Sequence, residues 1–241
     1  MDGLYVYGIV DSRLLLPPDV SGPGGRPVSL IWYRDLAAVV GDAPLHPSPI
    51  EVALVHAGVV ERIMEVGTIL PARVNTILPG NEQLLAFLRE HCDTFTAQLR
   101  RFQDKVEMGL KVLWRPEQIR GEVQRSINAR PLEAVVQVQG PGQSYLLRRL
   151  QEHQTAEGVR ERGKVLIERI QGRFIPLSIE STLQRFPTER LLLEASYLVE
   201  SASRKLFQVA VQQLEVELSE LRFLLTGPWP PYSFVRLEER M

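Results

Sequence analysis

The chain opens on an apolar run, Leu4 to Val10, rich in aromatic and β-branched residues. It stops at Asp11-Ser12, before a loop holding Pro17, Pro18, Gly22, Gly24, Gly25 and Pro27. A run bounded in this way predicts a strand followed by a long excursion. Val28 to Tyr33 and Leu36 to Val40 are two further runs pinched at Arg34-Asp35, which predicts a hairpin, and Gly41 to Pro47 forms a second break. Ser48, Pro49 and Glu51 then supply an N-cap, a first-position proline and a capping box. The helix they start carries Val52, Val55, Val59, Ile63 and Val66 at helical spacing and stops at Gly67. Thr68 to Leu78 returns to extended structure. After Pro79-Gly80-Asn81 comes one helix with the stripe Leu84, Leu88, Cys92, Phe95, Leu99 and Phe102.

Beyond Gln103-Asp104 the pattern predicts a strand over Val106 to Trp114, an irregular stretch, and a helix from Gln143 to about Gly172. Strands Ser178 to Phe186 and Leu191 to Val199, helix Ser203 to Glu220 and strand Leu221 to Thr226 complete the order β-α-β-β-α-β. The fold class is therefore α+β in two modules, a small α+β domain over 1–104 and a ferredoxin-like βαββαβ domain over 105–241. From Gln151 to Lys164 the long helix is almost wholly polar and holds Gly158 and Gly163, which predicts an arm that projects into solvent or breaks in two. The tail Gly227-Pro228-Trp229-Pro230-Pro231-Tyr232-Ser233-Phe234-Val235 is barred from helix by its prolines and carries three aromatics. Such a segment lies in a groove, either its own or a partner's.

Composition narrows the function classes. With 241 residues, 44% hydrophobic and 24% charged, the chain has enough apolar side chains to fill cores, and disorder is excluded. Lys+Arg 28 against Asp+Glu 29 leaves a formal charge of -1, without the basic footprint of a non-specific duplex binder, so no nucleic-acid partner is expected. Residues 1–104 hold 8 basic and 12 acidic side chains, and 105–241 hold 20 and 17, a mild asymmetry that supports the division. The single cysteine, Cys92, has no intrachain partner. The start shows no basic leader with a long apolar core, and no apolar stretch approaches the ~18 residues of a membrane span. The expected setting is cytoplasmic, with no membrane association.

The search for reaction chemistry finds little. His46, His56, His91 and His153 are scattered, without a second ligand at metal spacing, so no metal is expected. His56 reads as a core-edge histidine bonded to a carbonyl, and Cys92, inside an apolar stripe, as a buried structural thiol. An enzyme reading would require one of these two in a pocket. Gly22, Gly24 and Gly25 lack the dinucleotide spacing, and no phosphate-loop, nucleophile-elbow or zinc-protease motif is present. No cofactor is expected. A ferredoxin-like sheet can also bind ligand or RNA, but Glu107 and Met108 stand where a base-stacking strand needs basic and aromatic residues.

Five stretches in order carry a family likeness: Tyr5-Val6-Tyr7-Gly8-Ile9-Val10; the helix with His56; Leu70-Pro71-Ala72-Arg73-Val74-Asn75-Thr76; Lys105 to Val112; and Thr226 to Phe234. Together with Gly142 to Leu146 and Ala195 to Val199 they resemble the gas vesicle protein F/L family (GvpF/GvpL) over essentially the whole chain, and length points to the F type. One departure is visible. The family pattern P-x-R-F-G-T here has Val74-Asn75 in place of Phe-Gly, which bears on the geometry of that turn. The resemblance implies a non-enzymatic minor component needed to build gas vesicles, located at the vesicle. It also implies contacts with the main shell protein (GvpA-type) and with other gas vesicle accessory proteins.

Residue patterns, and not the family, nominate the contact candidates. Trp229, Tyr232 and Phe234 either pack across the sheet of the second module and fix the two modules, or simply cover core. Arg73, Lys105 and Lys111, on or beside strands, are expected to form a polar seam between modules with Glu107 or Glu180. The polar arm Gln151 to Lys164 is a third candidate surface.

Overall fold

The structure, a computed structural model, describes residues 3–43, 48–128 and 141–235. It contains mixed helix and strand with two antiparallel sheets, and the chain divides into two compact units. The first is Met1–Met108 with Leu198–Ala202 and Gly227–Met241; the second is Gly109–Tyr197 with Ser203–Thr226. This differs from a division into 1–104 and 105–241, because the ends of the late strands and the Pro/aromatic segment fall with the first unit. His46 lies outside the described residues.

In the first unit β1 (Leu4–Asp11) is central. It pairs with β3 (Leu36–Asp42) on one side and with β4 (Ile69–Pro71) and β5 (Ile77–Leu78) on the other, and β2 (Val28–Tyr33) pairs with β3 at the edge. The β1–β3 register slips between Val6 and Gly8, a bulge that leaves Tyr7 as the extra residue. It changes which face each later side chain of β1 takes. Tyr5, Tyr7 and Val10 pack on one face with Val52, Val59, Val60 and Ile63 of α1 (Pro49–Met64). Val6 and Ile9 pack on the other with Leu84 and Leu88 of α2 (Asn81–Glu90) and Phe95, Leu99 and Phe102 of α3 (Cys92–Phe102). Gly8 admits the bulge, since a Cβ there would lie 2.6 Å from the Leu70 carbonyl oxygen.

Two local expectations change. Ser48 is the N-cap of α1 with Pro49 in the first turn, but its side chain makes no capping hydrogen bond. The single helix expected over the Leu84 to Phe102 stripe is two helices that meet at His91, whose φ of -107° and ψ of 15° leave the helical basin.

The second sheet runs β7 (Glu180–Arg185), β8 (Leu191–Glu200), β6 (Lys105–Leu113), β9 (Arg222–Trp229) in spatial order. Within the second unit α5 (Pro141–Phe174) and α6 (Arg204–Glu217) hold an aromatic knot of Phe174, Tyr197 and Phe207, with ring centroids 4.8 to 5.7 Å apart. The Gln171 amide donates to the Tyr197 hydroxyl at 2.6 Å, which satisfies a fully buried phenol.

The polar arm neither breaks nor stands free. α5 is continuous, and the stretch expected to be irregular contains α4 (Pro116–Asn128), which packs against it. Ile119, Val123 and Ile127 form the part-buried stripe of α4. The arm's glycines are close-approach points: a Cβ on Gly158 would lie 2.5 Å from Val123, and one on Gly163 2.6 Å from the Phe186 ring and 3.0 Å from Trp114. Gly172, on the same helix, has open space at that position.

Opposite effects are therefore expected on one helix. Gly172→Ala stabilises by roughly 0.5–1 kcal/mol through helix propensity, whereas Gly163→Ala destabilises because the Phe186–Trp114 pair must move. Urea unfolding of the two variants, read against the parent chain, checks the sign of each.

Candidate functional site

The segments that stand out in the sequence pair off in space into two buried polar clusters, both in the first unit. The first joins β1, α1 and the turn after β4. Tyr5 Oη lies 2.9 Å from His56 Nδ1 and accepts the Asn75 N–H at 3.2 Å. His56 is 1% exposed, with the Tyr5 and Tyr7 rings at 5.7 and 5.6 Å between centroids. It is a core histidine, bonded through Nδ1 to the Tyr5 hydroxyl and with the Ala72 backbone as its other polar neighbour. Burial pushes its imidazole below the usual range, and the Ala72 backbone acts in the opposite direction. Burial likewise raises the Tyr5 phenol and pushes Tyr7 up to about 12.

The turn that completes this cluster explains the Val74-Asn75 departure. Asn75 has φ +67°, the left-handed region that glycine occupies most easily and asparagine tolerates best among side-chain-bearing residues. Arg73 closes the turn from its carbonyl, which accepts the Thr76 N–H at 3.1 Å and the Thr76 hydroxyl at 2.7 Å. The Arg73 side chain is exposed.

The second cluster joins β6 to the Pro/aromatic segment. Glu107 is 6% exposed, and its carboxylate accepts the Ser233 N–H at 2.8 Å and the Ser233 hydroxyl at 2.6 Å. Charge-assisted bonds of this kind are what permit a carboxylate to be buried. Gly227, at φ +99°, passes so close to β6 that a Cβ would lie 2.7 Å from the Glu107 carbonyl oxygen, and the Gly227-Pro228 peptide is cis. Phe234 enters the core with Val6, Leu36, Phe102 and Leu198. Of the two alternatives read from the sequence, Phe234 follows the one in which the segment covers core. Trp229 and Tyr232 remain 36% and 41% exposed.

Of the charged residues expected in a polar seam, Lys105, Lys111 and Glu107 each have a described neighbour within their own unit, and the Arg73 side chain is exposed. Lys111 pairs with Glu194 at 2.8 Å, Lys105 donates to the Gln103 carbonyl at 3.3 Å, and Glu107 is committed to Ser233. Lys105 does line a cleft of ≈ 230 Å³ with Val66, Ser201, Pro230 and Pro231. Sequence reasoning missed Tyr5, Asn75 and Ser233 as partners. A family-like pattern around each was the available signal. Among the described residues no group of three His, Cys, Asp or Glu is placed to hold a metal, and no helix is long and apolar enough to cross a membrane.

Comparison with known proteins gives a consistent picture. A family model described as "Gas vesicle synthesis protein GvpL/GvpF" matches residues 3–236. Gas vesicle protein F of Streptomyces sp. is 31% identical, covering 96% of this chain and 98% of the relative. Gas vesicle protein L of the same organism is 28% identical over 98% and 93%. The crystal structure of GvpF from Anabaena sp. superimposes with a TM-score of 0.79 at 18% identity, covering 98% of this chain and 97% of the other, which speaks to the fold.

The Glu107–Ser233 lock yields a stability expectation. Glu107→Ala removes the acceptor of two charge-assisted bonds and costs about 1–3 kcal/mol, while Glu107→Gln, which keeps one acceptor oxygen, costs less. A double-mutant cycle with Ser233→Ala in urea unfolding isolates the hydroxyl bond, the N–H bond being common to both residues, and additive single effects would show that the hydroxyl contributes nothing.

Proposed function

The chain belongs to the gas vesicle synthesis GvpL/GvpF family, and on that premise we propose that it is a non-enzymatic accessory component of gas vesicle assembly. It is an F-type member located at the vesicle, where it binds the main shell protein and other accessory proteins. The family match over residues 3–236 carries this reading. A shell subunit that keeps an apolar face dry is prone to aggregate before assembly, and a partner that offers a groove or a strand edge suppresses that outcome.

The contact surface assigned here is the exposed part of the Pro/aromatic segment. Trp229 and Tyr232 flank Pro230 and Pro231, which line the cleft with Lys105 and Val66. Partly exposed aromatics beside a groove are the anchors that protein interfaces use. Glu107 and Phe234 serve this surface from beneath. Arg73 and the Lys111–Glu194 pair contribute at most ~1 kcal/mol as exposed charges.

The strand order β7-β8-β6-β9, with helices before β7 and between β8 and β9, supports a ferredoxin-like arrangement for the second module. A ligand- or RNA-binding role for it has less support, since the alternating positions Glu107, Gly109 and Lys111 of β6 offer no ring for base stacking.

The test separates docking from folding. In the full-length chain, Trp229→Ala with Tyr232→Ala is expected to leave the urea midpoint nearly unchanged while reducing co-purification of the shell protein. Phe234→Ala is expected to cost about 3–5 kcal/mol of stability. Unchanged capture by the folded double variant would move the contact elsewhere.

A further inference from the structure

The bond from Asn75 to Tyr5 occupies one acceptor position of the hydroxyl that meets His56. Tyr5 Oη accepts the Asn75 N–H at 3.2 Å and lies 2.9 Å from His56 Nδ1. The Ala72 backbone is the other polar group that the ring meets. An Nε2–H ring, with Nδ1 accepting from the hydroxyl, lets the same imidazole serve both Tyr5 and the Ala72 backbone. The relay contains only neutral groups, yet it connects three elements that are far apart in sequence: β1, α1 and the turn at residues 73–76.

We propose that His56 is an acid-sensitive latch of the first unit: as the neutral Nε2–H tautomer it ties α1 to β1 and to the Arg73–Thr76 turn, and protonation of its ring releases α1. Two geometric facts support the release. A proton on Nδ1 turns that atom into a donor facing a donor, so the Tyr5 hydroxyl must rotate away from the ring. The positive charge would also sit in a site that is 1% exposed, where an uncompensated ion is costly. The titratable groups against the imidazole are the phenols of Tyr5 and Tyr7 on β1, both held above their ordinary range. The strand β4 side presents the Ala72 backbone. Neither side supplies a negative charge near neutrality.

The direction with pH follows. The folded ring titrates below the unfolded value of about 6.5. Stability contributed by the neutral ring is therefore complete above that value and is lost as pH falls beneath it, until the folded ring itself is protonated. With one proton taken up on opening, the opening constant of α1 rises up to tenfold per pH unit within that window.

The experiment uses the full-length chain. Nitrogen-15 NMR of the imidazole at neutral pH is expected to show the Nε2–H tautomer, and amide exchange, corrected for intrinsic rates, is expected to accelerate in α1 between pH 7.5 and 5.5 but not in α2 or α3. His56→Gln, whose amide oxygen can still accept from Tyr5, should abolish the acceleration. An Nδ1–H tautomer, or a His56 that titrates at or above 6.5 without an α1 response, overturns the latch. So does an acceleration of equal size in His56→Gln. Should that variant not fold, the tautomer and the titration midpoint of the parent chain decide alone.

Discussion

Strand β1 must bury both of its faces, and much of the first unit follows from that requirement. It is flanked by β3 on one side and by β4 and β5 on the other, so its backbone groups are spent in the ladder. Its side chains feed two separate cores, one against α1 and one against α2 and α3. A strand with strict alternation cannot send Tyr5, Tyr7 and Val10 to the same side. The bulge at Tyr7 solves this, and it demands a residue without a Cβ at position 8, where the Leu70 carbonyl approaches. Burying two tyrosines against α1 creates the next obligation, because a buried hydroxyl needs a partner. For Tyr5 the partners are His56 and Asn75, and so a packing requirement of one strand reaches a helix and a turn.

What could be read in the sequence divides along the range of the interaction. The strands of the first half and α1 were legible because alternation, helical period and terminal residues are local signals. The break at His91 was not, since the apolar stripe runs through it without a change of phase. Helix α4 was overlooked although Ile119, Val123 and Ile127 repeat at four residues. Its charged remainder resembles a loop when the partner helix is unknown. The same blindness made the arm of α5 look solvent-bound: a helix that gives one narrow stripe to a neighbour stays polar over most of its surface. Gly158 and Gly163 read as breakers but mark where Val123, Phe186 and Trp114 come closest.

The candidate site was legible in its residue types and not in its pairings. Glu107 and the Pro/aromatic segment were singled out, yet their connection through Ser233 joins positions 126 residues apart. No period or spacing encodes such a bond. Tyr5 and His56 are likewise 51 residues apart. Asn75 is the informative exception, because its residue type alone fits the left-handed turn that the structure shows.

The two clusters also tie distant segments of the first unit together. Glu107 spends both carboxylate oxygens on Ser233, and His56 spends Nδ1 on Tyr5 behind two aromatic rings. Each of these residues joins elements far apart in the chain. What they leave at the surface is a proline-lined cleft flanked by two half-exposed aromatics. For the docking role proposed above, buried contacts beneath an aromatic rim keep the ordering cost of association low.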